Sequence, residues 1–469
     1  MRATASGAAG LRATARRFLS GAAASSSHPP KRSAARPLAH GFRGAKKPKK
    51  PHDPTKVRAG LNVEVRPETY RAELDVKIAD ARACFDASPE RDDGAGGGKP
   101  IEAAKIAVPL PDEIEVFESP KKHHFRMRAE FRVWHAGDKS FMAMFDNEDP
   151  KTPVEIETFP MGSERINSLM KEVLREIKDE PALRRKLFQV NFLTTSGTDD
   201  ALVSMLYHRP LDAAWEAAAE EARQRMKVSV IGRSRKQKAR LIVLGNPFVM
   251  ETLTVDGEKF TYKQLEGGFT QPNSGTCEKM LEWARDVSVD DARAPGSGSG
   301  PAGARPRRRD DDFLELYCGN GNFTVALAPL YLNVLATEMS KVSVAAAVEN
   351  FETNGTTNAK VVRLSAEELV LVLDSGKKYE RMTNAGLDDL SAYDLRTLLV
   401  DPPRAGMGEE VSKFASRFDR IIYISCNPKT LAEDCRILAE THEIKRFAVF
   451  DQFPYTPHLE SGALLVKRK

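Results

Sequence analysis

Leu314-Glu315-Leu316-Tyr317-Cys318-Gly319-Asn320-Gly321-Asn322-Phe323 is the stretch that decides the fold. An apolar strand pattern enters a turn with two glycines, and an apolar helix pattern opens behind it over residues 324–330. Such a turn lets a ligand come close to the backbone, and it aims the free N–H groups of the helix start at that ligand. Glu338, 23 residues beyond Glu315, follows the next strand pattern, where an acid commonly grips ribose hydroxyls.

Outward from this turn, strand patterns at 313–316, 333–337, 360–364, 397–400, 420–425, 446–450 and 463–467 alternate with helical ones. That alternation is the grammar of a parallel, doubly wound α/β sheet. Seven strands with a hairpin-like last pair predict a class I (Rossmann-like) methyltransferase domain over residues 269–469. The run lacks a full Gly-x-Gly-x-x-Gly, which favours S-adenosylmethionine over a dinucleotide as the cofactor.

Upstream, residues 53–268 read as an α+β domain built on an antiparallel sheet. Residues 124–134 alternate strictly: Phe125, Met127, Ala129, Phe131 and Val133 fall on one face, and Arg126, Arg128, Glu130, Arg132 and Trp134 on the other. This predicts a half-buried strand whose open face carries three arginines. Further strands are expected at 187–195, 201–208, 228–232 and 241–244, and helices at 70–85, 163–177 and 211–226. Two low-complexity stretches, 89–100 and 290–312, read as exposed loops.

Charge is unevenly spread. No Asp or Glu precedes Asp53, while residues 1–52 carry twelve Lys or Arg and many Ala and Ser, the composition of an organelle transit peptide. Leu11, Ala15, Phe18 and Leu19 share a helical face there, which favours the mitochondrion over the chloroplast; the alternative is a basic arm that touches nucleic acid. Removing those twelve from the chain's 71 basic residues leaves 59 against 66 acidic ones, so the body is acidic and must meet any polyanion through a local basic patch. No apolar run reaches the length of a membrane span, and no membrane partner is expected. The five cysteines are scattered and never spaced Cys-x-x-Cys, which argues against a disulfide framework, a metal site or an iron–sulfur cluster.

Three motifs beyond the glycine turn bear on chemistry. Asp401-Pro402-Pro403-Arg404 follows the strand at 397–400, and two prolines fix its backbone at the edge where open α/β sheets bind ligands. Cys426, in Ser425-Cys426-Asn427-Pro428, ends the next strand at that edge. Glu460 precedes the last strand, whose start reaches the same edge if it runs antiparallel to its neighbour.

With these residues in hand, the chain over residues 70–469 resembles the tRNA (uracil-5-)-methyltransferases that make ribothymidine in the T loop. The phrases that carry the likeness run from Phe125 to His135, Phe269 to Asn273, Tyr317 to Phe323, Val400 to Arg404, Ile424 to Pro428 and Phe450 to Tyr455. The resemblance implies cofactor contacts from Gln271, Tyr317, Asn322, Glu338 and Asp401, a nucleophile at Cys426 and a proton acceptor at Glu460. It implies T-arm contacts from Arg132, Phe188 and His208, beside Arg126 and Arg128. C5 of uracil is too weak a nucleophile to take a methyl group unaided, so the thiolate of Cys426 would add to C6 and Glu460 would later remove the C5 proton. A basic run of Arg233, Arg235, Lys236, Lys238 and Arg240 would hold RNA with the arginine strand. Tyr317, Asn322 and the rest would serve a monomer acting on tRNA. Alternatives are a tRNA-folding chaperone on the same RNA surface, C5 methylation of organellar rRNA, and amino methylation of adenine beside the Asp-Pro-Pro turn.

Overall fold

The computed structural model describes residues 58–59, 65–86, 107–145, 152–236, 241–289, 309–387 and 389–469. The expected leader at 1–52, the stretch at 89–100, most of 290–312, and Lys238 and Arg240 lie outside them.

Upstream, β1 (Arg58–Ala59), β3 (Arg128–Ala136), β4 (Lys139–Phe145), β5 (Pro153–Glu155), β6 (Leu187–Thr194), β7 (Ala201–Tyr207), β8 (Ser229–Ser234) and β9 (Leu241–Leu244) form one sheet in the order β1-β5-β4-β3-β6-β7-β8-β9. The expected antiparallel pairing runs from β5 to β7 and recurs between β8 and β9. It is corrected at two places. β7 and β8 are parallel, because helix α4 (Ala213–Met226) crosses over between them, and β1 pairs parallel with β5. Helix α2 (Glu164–Lys178) starts at Ser163, whose side chain accepts from the Ile166 N–H, and a four-residue turn, α3 (Pro181–Arg184), follows it. Ile166, Leu169, Val173 and Ile177 of α2 share a core with Phe131, Val133 and Phe192 on one face of the sheet. The alternation of β3 holds: its apolar members are buried, while Glu130 and Arg132 stay exposed on the opposite face.

A separate hairpin joins β10 (Phe248–Val255) to β11 (Glu258–Leu265) through Asp256 and Gly257, with φ of 50° and 80°. Two successive positive φ values are what a tight two-residue hairpin turn demands. This hairpin is absent from the strands expected above, although Asp-Gly between two alternating runs is its signal.

The second sheet comprises β2 (Glu115–Phe117), β12 (Asp312–Leu316), β13 (Val334–Thr337), β14 (Ala359–Val362), β15 (Leu395–Val400), β16 (Arg420–Ser425), β17 (His442–Phe450) and β18 (Glu460–Lys467). Their order is β14-β13-β12-β15-β16-β18-β17-β2. This is the expected class I arrangement with one extra edge strand. Side chains alternate between two cores: Leu398, Val400, Ile421 and Tyr423 enter one, and Leu399, Ile422 and Ile424 the other. Both faces are therefore covered, which is why β16 is buried along its whole length and reads as a continuous apolar run. The covering helices are α5 (Ser274–Val289), α6 (Asn322–Leu327), α7 (Lys341–Thr353), α8 (Ala366–Ser375), α9 (Glu380–Asn384), α10 (Gly408–Ala415) and α11 (Pro428–Leu438).

Two upstream elements also belong to this sheet. β2 pairs parallel with β17, and helix α1 (Tyr70–Asp86) buries Tyr70, Leu74, Ala81 and Phe85 in one of its cores. Glu115 and Arg446 lock the added strand through a buried ion pair of 2.6 Å. The sequence reading grouped residues 70–117 with the upstream domain, because an apolar helix stripe does not say which sheet will cover it.

Candidate active site

The register of the second sheet builds the site. β12, β15 and β16 are parallel, with Leu316 opposite Val400 and Val400 opposite Tyr423, so the residues that follow these strands emerge at one edge. Tyr317, Asp401 and Cys426 are those residues. Thr337 pairs with Leu316, which brings Glu338 to the same edge. β18 runs antiparallel to β16 with Ser461 opposite Ser425, so Glu460 at its start lies beside Cys426.

One half of the edge is a pocket lined by Gln271, Tyr317, Gly319, Asn320, Asn322 and Asp401, among others. The backbone turns sharply here, with Tyr317, Gly319 and Gly321 all at positive φ. A Cβ on Gly319 would project into open space, whereas one on Gly321 would come within 2.8 Å of the Phe351 ring. Gly319 therefore leaves room for a ligand, and Gly321 lets α7 pack closely against the turn. Glu338 accepts hydrogen bonds from the N–H groups of Gly319 (3.1 Å) and Ser340 (2.6 Å), which fixes its carboxylate over the turn. Asn322 caps the pocket floor against the buried Cys277, and its carbonyl accepts from the Tyr262 hydroxyl. The Gln271 side chain is held by Gln452, a fully buried amide that donates to the Gln271 Oε1 and accepts from the Asn273 N–H. Gln452 was missed as a site residue; a glutamine between two phenylalanines, Phe450 and Phe453, is its only signal. Open space at the glycine turn, an acid for ribose hydroxyls and polar amides at the rim fit S-adenosylmethionine.

The other half holds Cys426, Glu460 and Arg404. Cys426 is half-buried, and Glu460 is 3% exposed with no hydrogen-bond partner for its Oε2 among the described residues. Burial first, then the neighbouring Asp401 carboxylate, pushes Glu460 up to about 8, with Arg404 pulling it back. Burial alone pushes the half-buried Asp401 carboxyl up to about 7. Cys426 rises to about 11, through burial and then the Glu460 and Asp401 carboxylates. Arg404 opposes that rise, as expected of a cation that favours the thiolate, but does not outweigh it. Its guanidinium is 2.7 Å from the Nδ1 of His458, and His458 is depressed by burial and then by Arg404, Lys77 and Arg126.

The loop that delivers Glu460 is clamped from α1. The buried Lys77 ammonium lies 2.6 Å from Asp451 and also donates to the carbonyls of Phe453 and His458. Lys77 was not among the expected site residues, since its partner is far away in sequence.

The expected RNA contacts separate into two groups. Phe188 and His208 stack with ring centroids 4.0 Å apart, and the guanidiniums of Arg132 and Arg235 lie over Phe188 at 5.5 Å and 4.5 Å. This makes a cationic, aromatic platform, in which burial and then Arg235 and Arg132 depress His208. Arg126 and Arg128 lie elsewhere. The Arg126 side chain donates to the carbonyl of Arg128 and braces the start of β3 locally, while Arg128 donates to the carbonyl of Gly268 and fastens that start to the segment leading into Gln271. Arg233 is ion-paired with Glu266. Among the described residues, no group of His, Cys, Asp and Glu side chains could hold a metal ion.

A family model described as tRNA (Uracil-5-)-methyltransferase matches residues 103–297 and 301–468. The chain belongs to the tRNA (uracil-5-)-methyltransferase family. Its relatives include tRNA/tmRNA (uracil-C(5))-methyltransferases of Azotobacter vinelandii, 50% identical over 78% of this chain and 93% of that protein, and of Vibrio cholerae, 42% identical over 87% and 99%. Among solved structures, the tRNA (uracil-54, C5)-methyltransferase of Pyrococcus abyssi, in complex with S-adenosyl-L-homocysteine, superposes with a TM-score of 0.59 at 19% identity, covering 85% of this chain and 83% of that one. Family membership makes this chain an S-adenosylmethionine-dependent methyltransferase. The relatives also overturn the organellar expectation drawn from residues 1–52: they are proteins of bacteria, which have neither mitochondria nor plastids, and they give no support to a transit peptide.

Proposed function

We propose that this methyltransferase converts the T-loop uridine of tRNA to 5-methyluridine, with Cys426 as covalent nucleophile and Glu460 as the final base. The observation that carries the reading is the pairing of Ser425 with Ser461, which brings Cys426 beside a buried carboxyl whose Oε2 has no partner among the described residues. An unpaired buried carboxyl is costly, and such groups recur where a proton must be taken.

Gln271, Tyr317, Asn322, Glu338 and Asp401 would hold S-adenosylmethionine, which would supply an electrophilic methyl group bonded to a positive sulfur. The Cys426 sulfur forms a bond to C6 of uracil, and the electrons of the C5–C6 double bond move towards C5 and O4. C5 would then take the methyl group as the donor's bond from methyl carbon to sulfur breaks and its electron pair stays on sulfur, leaving a neutral thioether. Glu460 Oε2 takes the C5 proton, the C5–C6 double bond returns, and the bond from C6 to sulfur breaks. The thiolate has to be favoured for the first step; Arg404 supplies one positive charge, and the sulfonium a second. The uridine leaves its stack to reach the rim. The T arm rests on the Arg132, Phe188, His208 and Arg235 platform, where rings stack on bases and guanidiniums meet phosphates.

Incubating the purified protein with unmodified tRNA and S-adenosylmethionine, then analysing nucleosides by mass spectrometry, is expected to yield one 5-methyluridine per tRNA at the T loop. Methylated adenine in its place would contradict the reading.

A further inference from the structure

The cofactor pocket carries two carboxyls that the reaction above does not use as base or nucleophile. Glu315 projects from β12 into the pocket wall, is 1% exposed, and accepts a 2.5 Å hydrogen bond from the Thr324 hydroxyl. Asp401 lines the same pocket from the end of β15, and no hydrogen bond or ion pair to its carboxyl is seen among the described residues. The described lining contains no Lys, Arg or His. A desolvated carboxylate without a cation is poorly stabilised in its charged form. Accordingly burial pushes Glu315 up to about 8, with Asp401 adding to the rise, and pushes Asp401 up to about 7.

The other titratable groups around the pair do not compensate it. Cys277 of α5, Tyr262 of β11 and Cys318 of the glycine turn are held neutral by burial. Cys426 and Glu460 are further acids on the target side. Arg404 acts on those last two groups, not on Glu315 or Asp401.

We propose that Glu315 and Asp401 act as a charge sensor that makes this pocket prefer a cationic sulfur centre to a neutral one and release a proton when the cation arrives. The proposal rests on the cofactor reading above. Beside a sulfonium, the pair is stabilised in its ionised form and gives its proton to solvent. Once the methyl group has left, the sulfur is a neutral thioether, and the carboxyls recapture a proton because the sulfur's positive charge no longer offsets theirs. The pocket thus holds donor and product differently by sensing one positive charge.

Isothermal titration calorimetry without RNA tests this, using S-adenosylmethionine, S-adenosylhomocysteine and the amine analogue sinefungin in buffers of different ionisation enthalpy. At pH 7 the two cationic ligands are expected to release roughly half a proton more than S-adenosylhomocysteine. The affinity ratio of S-adenosylmethionine to S-adenosylhomocysteine should rise roughly tenfold between pH 6 and pH 8. Glu315→Gln, which keeps an acceptor for Thr324, should flatten that rise; if the variant does not fold, the three ligands on the unaltered protein decide alone. Equal proton release for all three ligands and a pH-independent ratio would overturn the sensor and leave the methyltransferase reading intact. No binding by any of the three would sink that reading instead, and the sensor with it.

Discussion

The platform on the first sheet and the rim of the second are built on opposite electrostatic principles. On the platform, Arg132 and Arg235 lie over Phe188, and Phe188 stacks on the exposed His208, so cations and rings face solvent together. At the rim, Glu315 and Glu460 are enclosed and Asp401 is half-buried, and burial pushes each of them up towards neutrality. A polyanion is drawn to the first surface and finds no comparable cluster of cations at the second. What can enter the rim is a neutral base lifted off the backbone, or a cationic cofactor. Under the proposed function, recognition and chemistry are divided between the two sheets, so lesions in each should damage different steps.

The largest break should come from Cys426→Ala, which is expected to lower turnover on the order of 10⁴-fold or more while leaving the Kd for tRNA within about twofold, as measured by methyl incorporation and filter binding. Glu460→Gln should slow turnover by roughly 10²- to 10⁴-fold and accumulate a protein–RNA adduct visible on a denaturing gel, because the C5 proton stays in place. On the other side of the comparison, Phe188→Ala should weaken tRNA binding about 5- to 150-fold, the range of one lost base stack, with S-adenosylmethionine affinity unchanged. Arg132→Ala should weaken binding less, and should make the dependence of log Kd on log salt shallower by about 1.

The smallest effect sharpens the picture of the rim. Glu315 has a folded value above its ordinary one, so between about 4.5 and 8 the folded protein binds more protons than the unfolded chain, and stability declines as pH rises through that window. Glu315→Gln should therefore melt above the unaltered protein at pH 8, with the gap closing towards pH 5. The same sign reasoning bears on catalysis. As the proposed final base Glu460 works only when ionised, so release of methylated RNA from the covalent adduct in a single turnover should increase from pH 6 to pH 9, with its midpoint near the value of about 8.

Much of the rim was legible in the sequence because its residues follow strands. Once the seven strands of a doubly wound sheet are found, Tyr317, Glu338, Asp401 and Cys426 must share an edge, and Glu460 joins them as soon as β18 is antiparallel. Gln452 and Lys77 were not legible in this way. Each acts through a partner brought near only by tertiary packing, Gln271 for one and the Asp451–His458 loop for the other. The arginines of β3 were readable as a face but not as separate roles: alternation puts Arg128 and Arg132 on one side, and only packing ties Arg128 to the Gly268 carbonyl while Arg132 faces Phe188. The hairpin around Asp256-Gly257 was legible in principle, and α1 was found as a helix without its sheet.

Mass spectrometry of the protein incubated with S-adenosylmethionine and a T-arm RNA bearing 5-fluorouridine addresses the covalent step most directly, since Glu460 cannot remove fluorine and the adduct is trapped. The account predicts one methylated RNA per protein, attached to the peptide that contains Cys426 and missing from Cys426→Ala. An adduct mapped to another residue, or one that persists in that variant, would contradict it.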